Sequence, residues 1–220
     1  MNQTTDFVPA LGRHELTGDY DKVIAVMTRE RRWRAQLLRL VAPRAGERIL
    51  DVGCGTGTFA IMLKQAAPDA TVLGIDPDPA VLELARQKAA AAGADVDWRQ
   101  GFGDQMGASL DGQPVDQVVS SLVLHQCPME VKRRILAAAH GVLKPGGRLL
   151  IADYGRQRTL LMRLLFRQVQ MLDGFDNTEP NAKGVLPELI REAGFTPPDE
   201  KCVVPTPTGS ISIYVAEKPQ

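Results

Sequence analysis

The residues Ile49-Leu50-Asp51-Val52-Gly53-Cys54-Gly55-Thr56-Gly57 stand between a short apolar run and a helix-forming stretch. Glycines at alternate positions there allow a tight turn and let a ligand lie against the backbone. A dinucleotide fingerprint needs glycine at the sixth position of G-x-G-x-x-G, where this chain has Thr58, and the Gly-Lys-Ser/Thr of a P-loop is missing. Asp51, two residues ahead of the loop, suits a cationic ligand and disfavours a pyrophosphate. Asp76 closes the next apolar run, where a carboxylate can accept two hydroxyl hydrogen bonds; the competing reading is an N-terminal acid for the helix that follows Pro77-Asp78. His125 follows the fourth run, and an imidazole suits a general base. Its competing reading is a loop histidine that orders backbone. Ser120 and Ser121 end that run, as ligand contacts or as strand-end hydroxyls bonded to backbone. Asp153 and Tyr154, after the fifth run, are placed to line the substrate pocket.

These residues need a scaffold that brings strand ends together. Short apolar runs at 49–52, 71–75, 96–99, 115–121 and 148–152 alternate with helical stretches at 58–67, 79–92 and 129–143, with Gly93 as a C-cap and Pro145-Gly146-Gly147 as a break. Alternating strand and helix predicts a parallel sheet with helices on both faces. After Asp153 the rhythm changes: a helix over 159–172 that is apolar on nearly all sides, a polar loop over 173–183, a short helix over 186–193, and strands at 201–204 and 210–215 that pair antiparallel. A helix over 21–41 precedes the first strand. Its run Arg29-Glu30-Arg31-Arg32-Trp33-Arg34 reads as a solvated face with Trp33 turned inward, ahead of capture of an anionic substrate or a membrane surface.

Asp-x-Gly-x-Gly-x-Gly at a strand end resembles motif I of the class I S-adenosylmethionine-dependent methyltransferases. GIDPD (74–78), GFGDQM (101–106), VDQVVSSLVLHQ (115–126) and LKPGGRLLIADY (143–154) follow in that family's order. Within it the chain resembles the type 11 methyltransferases, which include the ubiquinone/menaquinone-biosynthesis enzymes. The resemblance implies an α/β fold: a Rossmann-like, seven-stranded, mostly parallel sheet with an antiparallel C-terminal hairpin and helices on both faces. It implies S-adenosyl-L-methionine as cofactor and S-adenosyl-L-homocysteine as product. Gly53, Gly55 and Gly57 would shape the loop under the amino-acid part, Asp51 would face its ammonium group, Asp76 and Pro77 would hold the ribose, Phe102 and Asp104 the adenine, and Ser120 would touch the cofactor. His125 and Tyr154 are the catalytic candidates, and no metal is expected. Tyr20 could close over the cofactor, while His14 and His140 carry no assigned role.

The expected organisation is one domain: an N-terminal helical cap segment (1–45), a cofactor-binding core (46–155), a helical substrate-lid insertion (156–195) and the hairpin (196–220). The expected function is direct in-line methyl transfer to an O, N, C or S acceptor on a small lipophilic or aromatic molecule. The rival readings are an NAD-dependent oxidoreductase and a non-catalytic S-adenosylmethionine-binding protein.

Composition agrees. The 220 residues carry 26 basic and 26 acidic side chains, so the net charge is zero, and a polyanion is disfavoured as main partner. Hydrophobic residues at 44% and charged residues at 24% exclude a disordered chain. No run reaches the roughly 20 apolar residues of a membrane span, and MNQTTDFVPALGRHEL holds no signal-peptide core, so a cytoplasmic location is expected. Cys54, Cys127 and Cys202 form neither a disulfide framework nor a zinc spacing. A homodimer is left open, with the 159–172 helix either lid or dimer surface.

Overall fold

The computed structural model describes residues 27–220; His14, Tyr20, the start of the 21–41 helix and most of the N-terminal cap segment lie outside the described residues. One seven-stranded sheet runs through the molecule in the order β3-β2-β1-β4-β5-β7-β6. Its strands are β1 (Arg48–Val52), β2 (Thr71–Asp76), β3 (Asp97–Gln100), β4 (Val115–Ser121), β5 (Leu143–Tyr154), β6 (Asp199–Thr206) and β7 (Gly209–Glu217). The first five are parallel, and β7 pairs antiparallel with both β5 and β6. The strand order reverses between β1 and β4. In open α/β sheets the crevice outside the carboxyl ends of the strands at such a reversal is where ligands bind.

Among the described residues seven α-helices cover the sheet: α1 (Glu30–Val41), α2 (Thr58–Ala66), α3 (Pro79–Ala91), α4 (Met129–Val142), α5 (Leu160–Asp173), α6 (Phe175–Lys183) and α7 (Leu186–Glu192). Strand periodicity sends alternate residues to opposite faces. Ile49 joins a core with Trp33, Leu37, Phe59, Leu63 and Phe166, whereas Leu50 and Val52 join one with Met106, Leu136, Leu186 and Ile190. Asp51 therefore projects on the α1 and α2 side of the sheet, and Asp153 of β5 on the α4 side.

Two expectations from sequence are corrected. The 173–183 segment is not a loop: Gly174, at φ 85°, separates α5 from α6. The polar residues of α6 are held by tertiary bonds, with Asn177 donating to the Gln126 carbonyl and Asn181 to that of Tyr154, each at 3.0 Å. Pro145-Gly146-Gly147 does not delay β5, which starts at Leu143. Gly146, at φ 73°, lets the chain bulge while its N–H donates to the Lys218 carbonyl at 2.9 Å. Helix α5 is buried on one side only, through Phe166, Val169 and Gln170, and it exposes Leu160, Leu161, Leu164, Met171 and Leu172 on the other. Among the described residues no helix is long and apolar enough to cross a membrane.

Candidate active site

The glycine loop links β1 to α2. The N–H groups of Gly53 and Cys54 both donate to the Ile75 carbonyl, at 2.9 and 3.0 Å, which draws the loop onto the end of β2. A Cβ on Gly53 would lie 2.4 Å from a Val123 methyl, and one on Gly57 would lie 2.4 Å from the Trp98 ring and 2.9 Å from Ala85. Those two glycines admit neighbouring side chains. Gly55 differs: at φ 52° it has nothing within 4 Å of the Cβ position, so its outer side is open to a ligand. Cys54 is buried beside the loop, and burial pushes its thiol well above the usual range, which leaves it inert packing.

Asp51 is 1% exposed, and neither carboxylate oxygen has a hydrogen-bond partner. Burial drives its pKa up to about 7, against a partial pull from the Arg34 guanidinium; nearby Asp76 adds to the rise, and the Ala60 backbone N–H, near but outside full hydrogen-bond geometry, lowers it slightly. An orphaned buried carboxylate costs free energy unless a cation or donor meets it. Arg34 departs from the sequence reading of a solvated face: it turns toward this site and pairs with Glu30, while Trp33 is buried as expected.

Asp76 is 7% exposed. Its Oδ2 accepts the Gly55 N–H at 2.9 Å and its Oδ1 the Asp78 N–H at 3.0 Å. Burial raises its pKa, and those two amides counter the rise. The helix-capping alternative is filled by Asp78, whose Oδ1 accepts the Ala80 N–H at 2.8 Å as the N-cap of α3. Each Asp76 oxygen keeps lone pairs for further donors. Pro77 holds the turn between the two acids, and its carbonyl accepts from Gln100 at 3.1 Å. Phe102 is half exposed at the end of β3. Asp104 opens the next 3₁₀ turn and is paired with Arg134 of α4 at 2.9 Å through one oxygen. Ser120 donates to the Val52 carbonyl at 3.1 Å, the strand-to-strand bond of its competing reading.

The far side of the site is organised by Asp153, which the sequence offered only as a pocket-lining residue. Its Oδ2 accepts the N–H groups of Val123, Leu124 and His125 at 3.1, 2.7 and 3.3 Å. Its Oδ1 accepts the Tyr154 N–H and meets His125 Nδ1, both at 2.7 Å. This carboxylate fixes the turn after β4, whose Val123 closes on Gly53. His125 Nε2 lies 3.3 Å from Asp173 Oδ2. Burial acts to lower the His125 pKa, but Asp153 and then Asp173 outweigh it and carry the value up to about 9. Both ring nitrogens are engaged by carboxylates in this arrangement, the setting of a hydrogen-bond donor; the general-base role read from sequence would need Asp173 to leave Nε2.

Tyr154, the second catalytic candidate, lies beside this histidine. It is buried, edge-on to His125 with ring centroids 5.0 Å apart, and its hydroxyl bonds Thr208 at 2.7 Å. Burial pushes its phenol above the ordinary range. It anchors the β6–β7 turn. Lys132, fully buried on α4, was not anticipated: it donates to the Asn177 carbonyl at 2.5 Å, and burial lowers its pKa to about 8. His140 packs edge-on against Phe195, a structural place. Among the described residues no His, Cys, Asp and Glu group could hold a metal ion.

A sheet of this order, with a glycine loop after β1 and an acid ending β2, is the fold of the class I S-adenosylmethionine-dependent methyltransferases. The chain overlays on magnesium protoporphyrin IX methyltransferase from Synechocystis PCC 6803, solved with bound S-adenosylhomocysteine, at a TM-score of 0.66 and 20% identity, covering 94% of this chain and 90% of that one. Residues 49–147 match the methyltransferase domain family model. Demethylmenaquinone methyltransferase from Thermus thermophilus is 32% identical over 164 residues, 72% of this chain and 73% of the relative. Ubiquinone/menaquinone biosynthesis C-methyltransferase from Rubrivivax gelatinosus is 30% identical over 166 residues, 73% of this chain and 62% of the relative. The chain belongs to the S-adenosylmethionine-dependent methyltransferase family and is a methyltransferase, which sets the oxidoreductase reading aside.

Proposed function

We propose that this chain binds S-adenosylmethionine over the glycine loop and transfers its methyl group in line to a small aromatic or lipophilic acceptor. The observation that carries the reading is Asp51, a buried carboxylate short of hydrogen-bond partners and electrostatically coupled to Asp76, whose own oxygens keep lone pairs beside Gly55. A ligand with an ammonium group and a ribose diol satisfies both acids. The cofactor supplies an activated sulfonium methyl; the protein supplies position and a dry site. Asp51 holds the ammonium, Asp76 and Pro77 the ribose, and Phe102 with the second oxygen of Asp104 the adenine. Ser120 serves through the β1–β4 bond that shapes the floor. The acceptor enters over the turn 122–126, under α5 and α6, so that residues 156–195 act as its lid and the 1–45 segment as a cap. The relatives' names, which refer to menaquinone and ubiquinone, support a quinone-related acceptor, and the absence of basic excess disfavours nucleic acid.

Calorimetry with S-adenosylhomocysteine and with NAD tests the cofactor. Methyl transfer from radiolabelled S-adenosylmethionine to a panel of reduced quinones tests the acceptor. Binding of S-adenosylhomocysteine without turnover on any phenol, amine, thiol or carbon acid would favour the non-catalytic alternative. Binding of neither ligand would overturn the site.

A further inference from the structure

His125 sits between two carboxylates of different standing. Asp153 is 1% exposed and accepts four backbone N–H groups besides the imidazole, so it cannot leave without dismantling the turn after β4. Asp173 holds no such place. It is the last residue of α5, its side chain is 24% exposed, and its contact with Nε2 is 3.3 Å against 2.7 Å for Asp153 on Nδ1. Gly174 follows at φ 85° and ψ 140°, a conformation open to glycine, and breaks α5 from α6. α5 carries a large apolar surface away from the core and is seated through few buried side chains.

With Nδ1 fixed on Asp153, the donor left for an exchangeable partner is Nε2–H, now facing Asp173. It is charged and buried, at the exit of β4, one turn from the residue that packs on the glycine loop. A charged N–H donor in a dry setting favours an anionic oxygen over a neutral one. In this structure the lid itself provides that oxygen.

We propose that Asp173 is a built-in placeholder: it occupies on His125 Nε2 the seat that an acidic oxygen of the methyl acceptor takes when the end of α5 swings out about Gly174. The inference rests on the methyl-transfer reading and narrows its acceptor to a molecule with an ionisable hydroxyl, a phenol or an enol. The hydroxyl proton passes to water as the oxygen seats as an anion. The methyl carbon then leaves sulfur, whose bonding pair stays behind, and joins the oxygen or a carbon conjugated with it; in the second case that carbon later loses its own proton to water. Asp173 thus excludes neutral amines and thioethers and keeps the site shut until a competing anion arrives.

The test uses the full chain and 4-nitrophenolate, followed by its visible absorbance, with and without saturating S-adenosylhomocysteine. Asp173→Asn is expected to bind the phenolate roughly tenfold more tightly than the unaltered chain, because a competing charge is removed from the seat. The gain disappears in the Asp173→Asn, His125→Gln double variant, and neutral 4-nitroanisole shows none of it. A phenolate affinity unchanged by Asp173→Asn, or a gain that survives loss of His125, overturns the placeholder. If Asp173→Asn fails to fold, Asp173→Ser is used for the same titration. Failure of S-adenosylhomocysteine to bind the unaltered chain would instead strike the cofactor reading, and the titration without it still decides the seat.

Discussion

The Gly55 N–H donates to Oδ2 of Asp76 across 2.9 Å, so the open centre of the glycine loop and the acid at the end of β2 form one unit. Asp76 is ordered by the loop, and each of its oxygens keeps lone pairs for further donors. Asp76→Ala is expected to weaken S-adenosylhomocysteine binding by about 1.5–3 kcal/mol for each charge-assisted hydrogen bond lost. Asp76→Asn should lose less, since one carbonyl oxygen remains. Calorimetry measures both, and an Ala variant with unchanged affinity removes Asp76 from the site.

Asp51 gives a pH signature. Its folded pKa is about 7, raised by burial above the usual 3.8. Between those values the folded state binds more protons than the unfolded one, so this group lowers stability as pH rises from about 4 to 7, and its effect is flat above that. A ligand ammonium favours the ionised form, so S-adenosylhomocysteine affinity should climb from pH 5.5 to 7.5 with release of a proton. Calorimetry in buffers of different ionisation enthalpy counts that proton. Asp51→Asn should abolish the release, weaken binding, and raise the melting temperature at pH 8 by about 2–4 °C for each kcal/mol relieved.

His125 acts in a different window. Its folded pKa of about 9 lies above the usual 6.5, so its stabilisation is fully present below 6.5 and is lost as pH rises through 9. Its ring signals should titrate with a midpoint near 9 by NMR, whereas those of His140, held down by burial and Lys218, titrate below the ordinary value. His125→Gln should remove the fall in melting temperature between pH 6.5 and 9. A His125 midpoint at or below 6.5 would contradict the carboxylate sandwich.

Two glycines of the loop should fail in opposite ways. Gly57→Ala drives a methyl into Trp98 and Ala85 at φ 77°, and is expected to destabilise the fold by several kcal/mol. Gly55→Ala meets no atom and bears only the left-handed strain of about 1–2 kcal/mol. It should fold, yet lose S-adenosylhomocysteine affinity tenfold or more if the ligand lies in that space. Thermal melts and calorimetry on the pair separate the two effects.

The core strands and their helices were legible because burial leaves a period in the sequence, and the glycine loop because its spacing is specific. Asp76 could be placed from its position alone, and the structure then gave the capping task to Asp78. α6 was not legible: its composition, with Gly174 ahead of it and Pro180 within it, reads as a loop, and only tertiary bonds through Asn177 and Asn181 make it a helix. The charge state of His125 was out of reach for the same reason. It depends on Asp153 and on Asp173, which are distant in sequence and meet it only once β5 and α5 are in place. Likewise the run from Arg29 to Arg34 showed its amphipathic stripe but not that Arg34 would face Asp51.

The Trp98 ring fills the space that side chains on Gly57 and Gly74 would need, with its edge against the loop. The chain has one other tryptophan, Trp33, on the buried face of α1. A Trp33→Phe variant therefore carries a single indole chromophore touching the loop proposed to hold the cofactor. Its emission becomes a native optical gauge of loop occupancy, readable by stopped flow without a dye, a label or knowledge of the acceptor.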